Sequence, residues 1–179
     1  YYRVDGTSTQ NKGVVPDISL PSTWDIETVG ESSYPTALEW DRVRPYRHNK
    51  FPLNYNKLKT VRELHKKRLN IDPNLLYLGE VRKRYDDNKN KKELSLNINE
   101  RINEKNLRKS WLLEIENKRR LGLGLKIYDS YEALKDSEDE ELIDRNNIDL
   151  ENDFLLIEST KIIGDYLDLN KKIVLTKVN

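Results

Sequence analysis

The stretch DPNLLYLGEVRKRY, residues 72–85, opens with an acid and a proline and then turns apolar at helical intervals. A carboxylate just ahead of a helix can accept the unpaired amides of the first turn. Proline suits the first helical position, because the N–H it lacks would have had no partner there. Leu75, Leu76, Leu78, Val81 and Tyr85 then supply an apolar face. The stretch reads as a helix with a marked start, and its surroundings as a helical domain.

Working outward, Leu58, Val61, Leu64 and Leu69 form a helical stripe on the N-terminal side, with Lys and Arg between them. On the C-terminal side, Lys89 to Lys92 is a polar break. Leu94-Ser95-Leu96-Asn97-Ile98 alternates, and reads as a brief strand or an extended entry to a helix. Asn97 with Glu100 three residues later resembles a capping box. Ile102, Leu107, Trp111, Leu112 and Ile115 continue a helix predicted to end near Gly122 and Gly124. The acidic stretch 136–141 reads as a solvated connector. A last helix carries Leu150, Phe154, Ile157, Ile162 and Tyr166, with Asp149 or Asn147 as its cap. Ile173 to Thr176 either pairs as a short strand or frays.

Residues 1–54 differ in character, being rich in Pro, Gly, Ser, Thr and aromatics. Tyr1-Tyr2-Arg3-Val4 has strand formers and Asp5-Gly6 is a turn dipeptide. Val14-Val15 and Ile18-Ser19-Leu20 make a second extended stretch, broken by Pro16, which cannot donate to a ladder. Two short strands cannot bury a core alone, and nothing later in the chain offers them a sheet. With no methionine in the chain, the expectation is a strand pair belonging to a sheet encoded ahead of Tyr1. The fold class expected is mainly α with a short β portion, a helical domain preceded by two strands of another sheet. The divisions expected are terminal strands at 1–20, an irregular docking strap at 21–54, a helical domain at 55–170 and a tail at 171–179.

Composition narrows the function. Of 179 residues 35% are charged and 36% hydrophobic, with mean hydropathy −0.87. The 32 basic and 31 acidic residues leave a net charge of +1, so no overall field attracts nucleic acid or an anionic membrane. No apolar run is long enough to span a bilayer. The absence of cysteine removes disulfides and thiolate metal sites.

Several groups invite chemistry, and each has a plainer reading. Ser8 and Lys12 could form a Ser–Lys dyad if burial lowered the lysine's pKa, but a polar loop flanked by glycines keeps Lys12 hydrated. His48 and His65 lack metal-ligand spacing and read as partly exposed. The 136–141 acids lack the alternating ligands and glycine of a calcium loop. Lys57, Lys59, Arg62, Lys66, Lys67 and Arg68 could touch phosphates, but read as the wet face of a helix. Trp111 reads as core, and Trp24 and Trp40 as anchors of the strap. No catalytic, cofactor-binding or metal-binding residue is assigned.

The opening, Tyr2-Arg3-Val4-Asp5-Gly6-Thr7-Ser8-Thr9-Gln10-Asn11-Lys12-Gly13-Val14-Val15-Pro16-Asp17-Ile18, resembles the end of the protease core in carboxy-terminal processing proteases of peptidase family S41, in their tail-specific branch. Gly30-Glu31-Ser32 and Ala37-Leu38-Glu39-Trp40-Asp41 are similar to later segments of that branch, with Glu39 replacing a proline. His65-Lys66-Lys67-Arg68, Asp72-Pro73 and Ser95-Leu96-Asn97 match its C-terminal domain. The resemblance implies a bacterial periplasmic serine endopeptidase with a Ser–Lys dyad and a substrate-binding PDZ domain, both ahead of Tyr1. It implies that this chain scaffolds a substrate vault and is inactive alone, without cofactor. Implied partners are the upstream protease and N-terminal helical domains, unfolded or C-terminally apolar substrates and an adaptor protein, with no nucleic acid and no membrane span. The alternative is a helical interaction module that recruits an adaptor or substrate.

Overall fold

The computed structural model describes residues 1–22, 26–49, 53–89, 91–143, 150 and 153–176, with positions 26, 27, 138–143 and 170–176 described by backbone alone. A short helix α1 (Ile26–Val29) and a 3-10 turn (Glu31–Ser33) precede five longer helices: α2 (Tyr55–Leu69), α3 (Pro73–Lys89), α4 (Ile98–Gly122), α5 (Tyr131–Ile143) and α6 (Phe154–Thr176).

Local chemistry sets most of the helix ends. The Asn54 side chain accepts the Lys57 amide at 3.2 Å and starts α2. Asp72 Oδ1 accepts the Asn74 amide at 3.0 Å and starts α3 at Pro73, as its sequence predicts. Asn97 Oδ1 accepts the Asn99 amide at 2.9 Å. The return bond expected of a capping box is replaced: the Asn97 amide donates to Ser95 Oγ at 3.1 Å. Residues 94–97 are therefore an extended entry, not a strand. The end of α4 is a Schellman motif. Gly124 sits at φ +71°, its amide meets the Leu121 carbonyl at 3.1 Å, and the Leu125 amide reaches the Arg120 carbonyl at 2.8 Å.

The helices pack in the spatial order α6–α2–α3–α4–α5. The pair α3/α4 runs antiparallel. A Cβ at Gly122 would stand 2.7 Å from the Pro73 ring, Arg119 Nη1 donates to Asn74 Oδ1 at 3.0 Å, and the Arg84 guanidinium lies 4.2 Å over Trp111. Trp111 is thus half-buried beneath an arginine, where its sequence predicts core. Among the described residues the buried apolar side chains are Leu58, Val61, Leu75, Ile115 and Leu134. The total accessible surface is 14970 Å², against about 9,000 Å² expected of a compact globule of this mass. Helices placed side by side in a row bury little and leave broad faces uncovered.

Three further expectations give way. The acidic stretch is not a connector: Ser130 Oγ accepts the Ala133 amide at 3.2 Å and starts α5, which runs through 136–141. The last helix begins after Asp153, whose Oδ1 accepts the Leu155 and Leu156 amides at 3.1 and 2.9 Å; Asn147 and Asp149 lie outside the described residues. Residues 173–176 continue α6 and form no strand.

The amino-terminal segment forms isolated bridges instead of two strands. Tyr2 pairs with Ser8, and Thr7 with Arg42. Gly6 takes φ +81°, and a Cβ there would lie 2.2 Å from the Val43 carbonyl oxygen. Residues 14–22 are held by helix side chains: Arg62 Nε donates to the Asp17 carbonyl at 3.0 Å and Arg82 Nη1 to the Ser22 carbonyl at 3.3 Å.

Candidate functional site

Two side-chain clusters stand out. The first ties residues 1–13 to the segment 40–46. The Ser8 amide donates to the Asp41 carbonyl at 3.2 Å, the Val43 amide to Gly6 at 2.9 Å and the Tyr46 amide to Val4 at 2.9 Å. Trp40 Nε1 donates to the Ser8 carbonyl at 2.9 Å, adding a side-chain tie between the two segments. Tyr2 Oη donates to Asp41 Oδ2 at 2.6 Å. This hydrogen bond, followed by partial burial and the aspartate's charge, raises the phenol's pKa. Asp5 accepts from the Thr7 hydroxyl at 2.6 Å and its amide at 3.0 Å, and those bonds lower its pKa. Glu31 grips the neighbouring loop through the Gln10 side chain and the Asn11 amide.

Within this cluster Ser8 is buried and its Oγ accepts the Gln10 amide at 3.0 Å. The Lys12 ammonium lies 4.2 Å over the Trp40 ring. Among the described residues no hydrogen bond joins Ser8 to Lys12. The two are used as a turn-former and a cation–π donor, and the geometry sets up no proton transfer between them. Trp24 lies outside the described residues.

The second cluster joins the first long helix to the last. His65 is 4% exposed and Glu158 1%. His65 Nδ1–H donates to Glu158 Oε1 at 2.7 Å. Arg68 Nε reaches both Glu158 oxygens at 2.8 and 3.0 Å, and its Nη1 reaches Asp165 Oδ2 at 2.7 Å. Burial opposes the Arg68 charge, but hydrogen bonds from Glu158 and Asp165 outweigh it and raise its pKa. Beside it, Lys161 stands 3.5 Å from Asp72, bridging α6 to the start of α3. His65 is therefore buried, contrary to its reading as partly exposed, and Arg68 is largely covered, contrary to its reading as part of a wet basic face. Arg62 is also engaged, with Asp17. His48 is partly exposed, its Nδ1 2.7 Å from the Tyr46 carbonyl.

Sequence reasoning missed Glu158 and Asp165 altogether, and singled out Glu31 by motif without its partners Gln10 and Asn11. Each is a lone acid in a charged chain, and nothing local marks its partner. Among the described residues, no three metal-ligating side chains gather, and no helix is long and apolar enough to cross a membrane.

Comparison with known proteins agrees with the motif resemblance. Residues 24–168 match the family described as the C-terminal domain of tail specific protease (DUF3340). The whole chain is 33% identical over 183 aligned residues to the tail-specific protease of Haemophilus influenzae, and spans 25% of that protein's length. The chain belongs to the family of C-terminal domains of tail-specific proteases.

Proposed function

We propose that this chain is a scaffold within a bacterial periplasmic serine endopeptidase that trims or degrades proteins from their C-termini. Its helices wall the space that holds substrate, and the Ser–Lys dyad belongs to other parts of the enzyme. Residues 1–20 complete the protease-core sheet, 21–54 strap that core to the helices, and 55–170 form the wall. The upstream protease and N-terminal helical domains are its permanent partners, and unfolded or C-terminally apolar proteins its substrates.

The observation that carries this reading is the amino-terminal cluster. Its serine and lysine are spent on turn geometry and on Trp40, while Val4, Val14 and Val15 remain exposed. Such a segment is suited to adding to another sheet. The family match and the quarter-length coverage of the relative support it.

The test is made in a tail-specific protease that contains this chain. Glu158→Ala should loosen α6 from α2 and slow cleavage of a protein substrate several-fold, while cleavage of a short peptide stays within two-fold. Equal loss on both substrates would place this domain in the chemistry and contradict the reading.

A further inference from the structure

The α3/α4 pair closes tightly at one end and opens at the other. Pro73 touches Gly122 at the closed end, and Arg84 covers Trp111 midway. Beyond that point the helices are separated by the segment 91–97, and a groove of about 930 Å³ lies between them. Leu94, Ile98, Ile102 and Leu107 line it, each at least half exposed. Ile102 and Leu107 are positions predicted to continue the apolar face of α4, and among the described residues that helix is better covered from Trp111 onward.

The groove's edge is strongly basic. Arg84, Lys91, Arg101, Lys105 and Arg108 line it with a single acid, Glu104. Glu104 is shared between Lys91 and Arg101, and these cations hold its carboxyl below the usual range. Lys105 and Arg108 are exposed and make no ion pair among the described residues. A chain of net charge +1 thus gathers five cations and one acid around this exposed apolar floor.

We propose that this groove docks an acidic amphipathic helix of a partner protein, with apolar side chains on the Ile98–Ile102–Leu107 floor and carboxylates on Lys105 and Arg108. Apolar side chains at i, i+3/i+4 and i+7 fit a floor of this kind. The surrounding cations select acids and speed encounter. A phosphate backbone would satisfy the edge but leave the four-residue floor wet, so a protein segment fits better than nucleic acid. The groove lies on a different helix pair from the α2–α6 cluster, so the binding test below reads it separately from the Glu158→Ala cleavage test.

The test uses the 179-residue chain and three fluorescein-labelled 16-residue probes. One is a helical peptide with leucines at i, i+3, i+4 and i+7 and glutamates flanking them. The second has the glutamates replaced by lysines, and the third is a dT16 oligonucleotide. The proposal expects the acidic peptide to bind at least ten-fold tighter than either control and to weaken with added salt. Ile102→Asp should abolish binding. Lys105→Glu with Arg108→Glu, two exposed changes that leave packing intact, should weaken the acidic peptide at least ten-fold and improve the lysine peptide. Equal binding of both peptides, preference for dT16, or no binding to any probe would overturn it. So would concentration-dependent dimerisation in sedimentation that Ile102→Asp removes, which assigns the floor to a second copy instead.

Discussion

Glu158, near the start of the last helix, holds His65, in the middle of the second, at 2.7 Å across 93 positions of sequence. Arg68 shares the same carboxylate. Removing one member of a buried ionic set strands the others, and that loss typically reaches about 3–5 kcal/mol. Glu158→Ala should therefore lower the unfolding free energy by about that much, read from urea denaturation at neutral pH. Replacing His65, Arg68 and Glu158 together by Leu, Met and Leu should cost less than the single change, because the one group then left without its partner, Asp165, is partly exposed to water. A triple variant weaker than Glu158→Ala would show that the cluster contributes net stability.

The turn at Gly6 offers a local test. Its φ of +81° and the 2.2 Å approach of a would-be Cβ to the Val43 oxygen exclude a side chain. In Gly6→Ala the Val43 and Tyr46 amides, which donate to Gly6 and Val4, should lose exchange protection by ten-fold or more. The helical unfolding transition should stay unchanged. Loss of helix stability as well would mean that the cluster and the helices unfold together.

Two ionisations bound the pH range of the same cluster. Tyr2 has a raised pKa through its bond to Asp41, so its contribution is complete below about pH 10, the ordinary phenol value, and is lost as pH rises through the higher folded value. Asp5 has a lowered pKa through Thr7. Its contribution is complete above about pH 4 and is lost as pH falls through the lower folded value. Protection of the Ser8 and Val43 amides should be greatest between these limits. Tyr2→Phe should remove the alkaline loss and Asp5→Asn the acid one. Unchanged profiles in both variants would contradict this assignment.

Trp111 is half-buried beneath Arg84. Trp111→Ala should cost about 2 kcal/mol, below the roughly 3–5 kcal/mol of a fully enclosed aromatic, and Arg84→Ala about 0.5–1 kcal/mol. Chemical denaturation of the two variants checks both values.

What was legible in the sequence was local. Asp72-Pro73 marks a helix start because cap and first turn are neighbours. Gly124 marks a helix end for the same reason. The acceptor of the Trp40 indole, the Ser8 carbonyl, was not legible, because the two lie 32 positions apart. Burial of His65 was illegible because its partner lies a whole domain away in sequence. The 136–141 helix was obscured by its own acids, which resemble a solvated loop until Ser130 is seen capping it. The strands expected at 1–20 as parts of another sheet are not seen among the described residues, where Tyr2–Ser8 and Thr7–Arg42 form isolated bridges around the Gly6 turn.

The central claim is that this chain shapes and supports a protease without supplying its chemistry. The most direct measurement incubates the isolated chain with an unfolded protein ending in apolar residues and follows the substrate by mass. The account predicts that the substrate stays intact. Substantial cleavage that disappears in Ser8→Ala would contradict it.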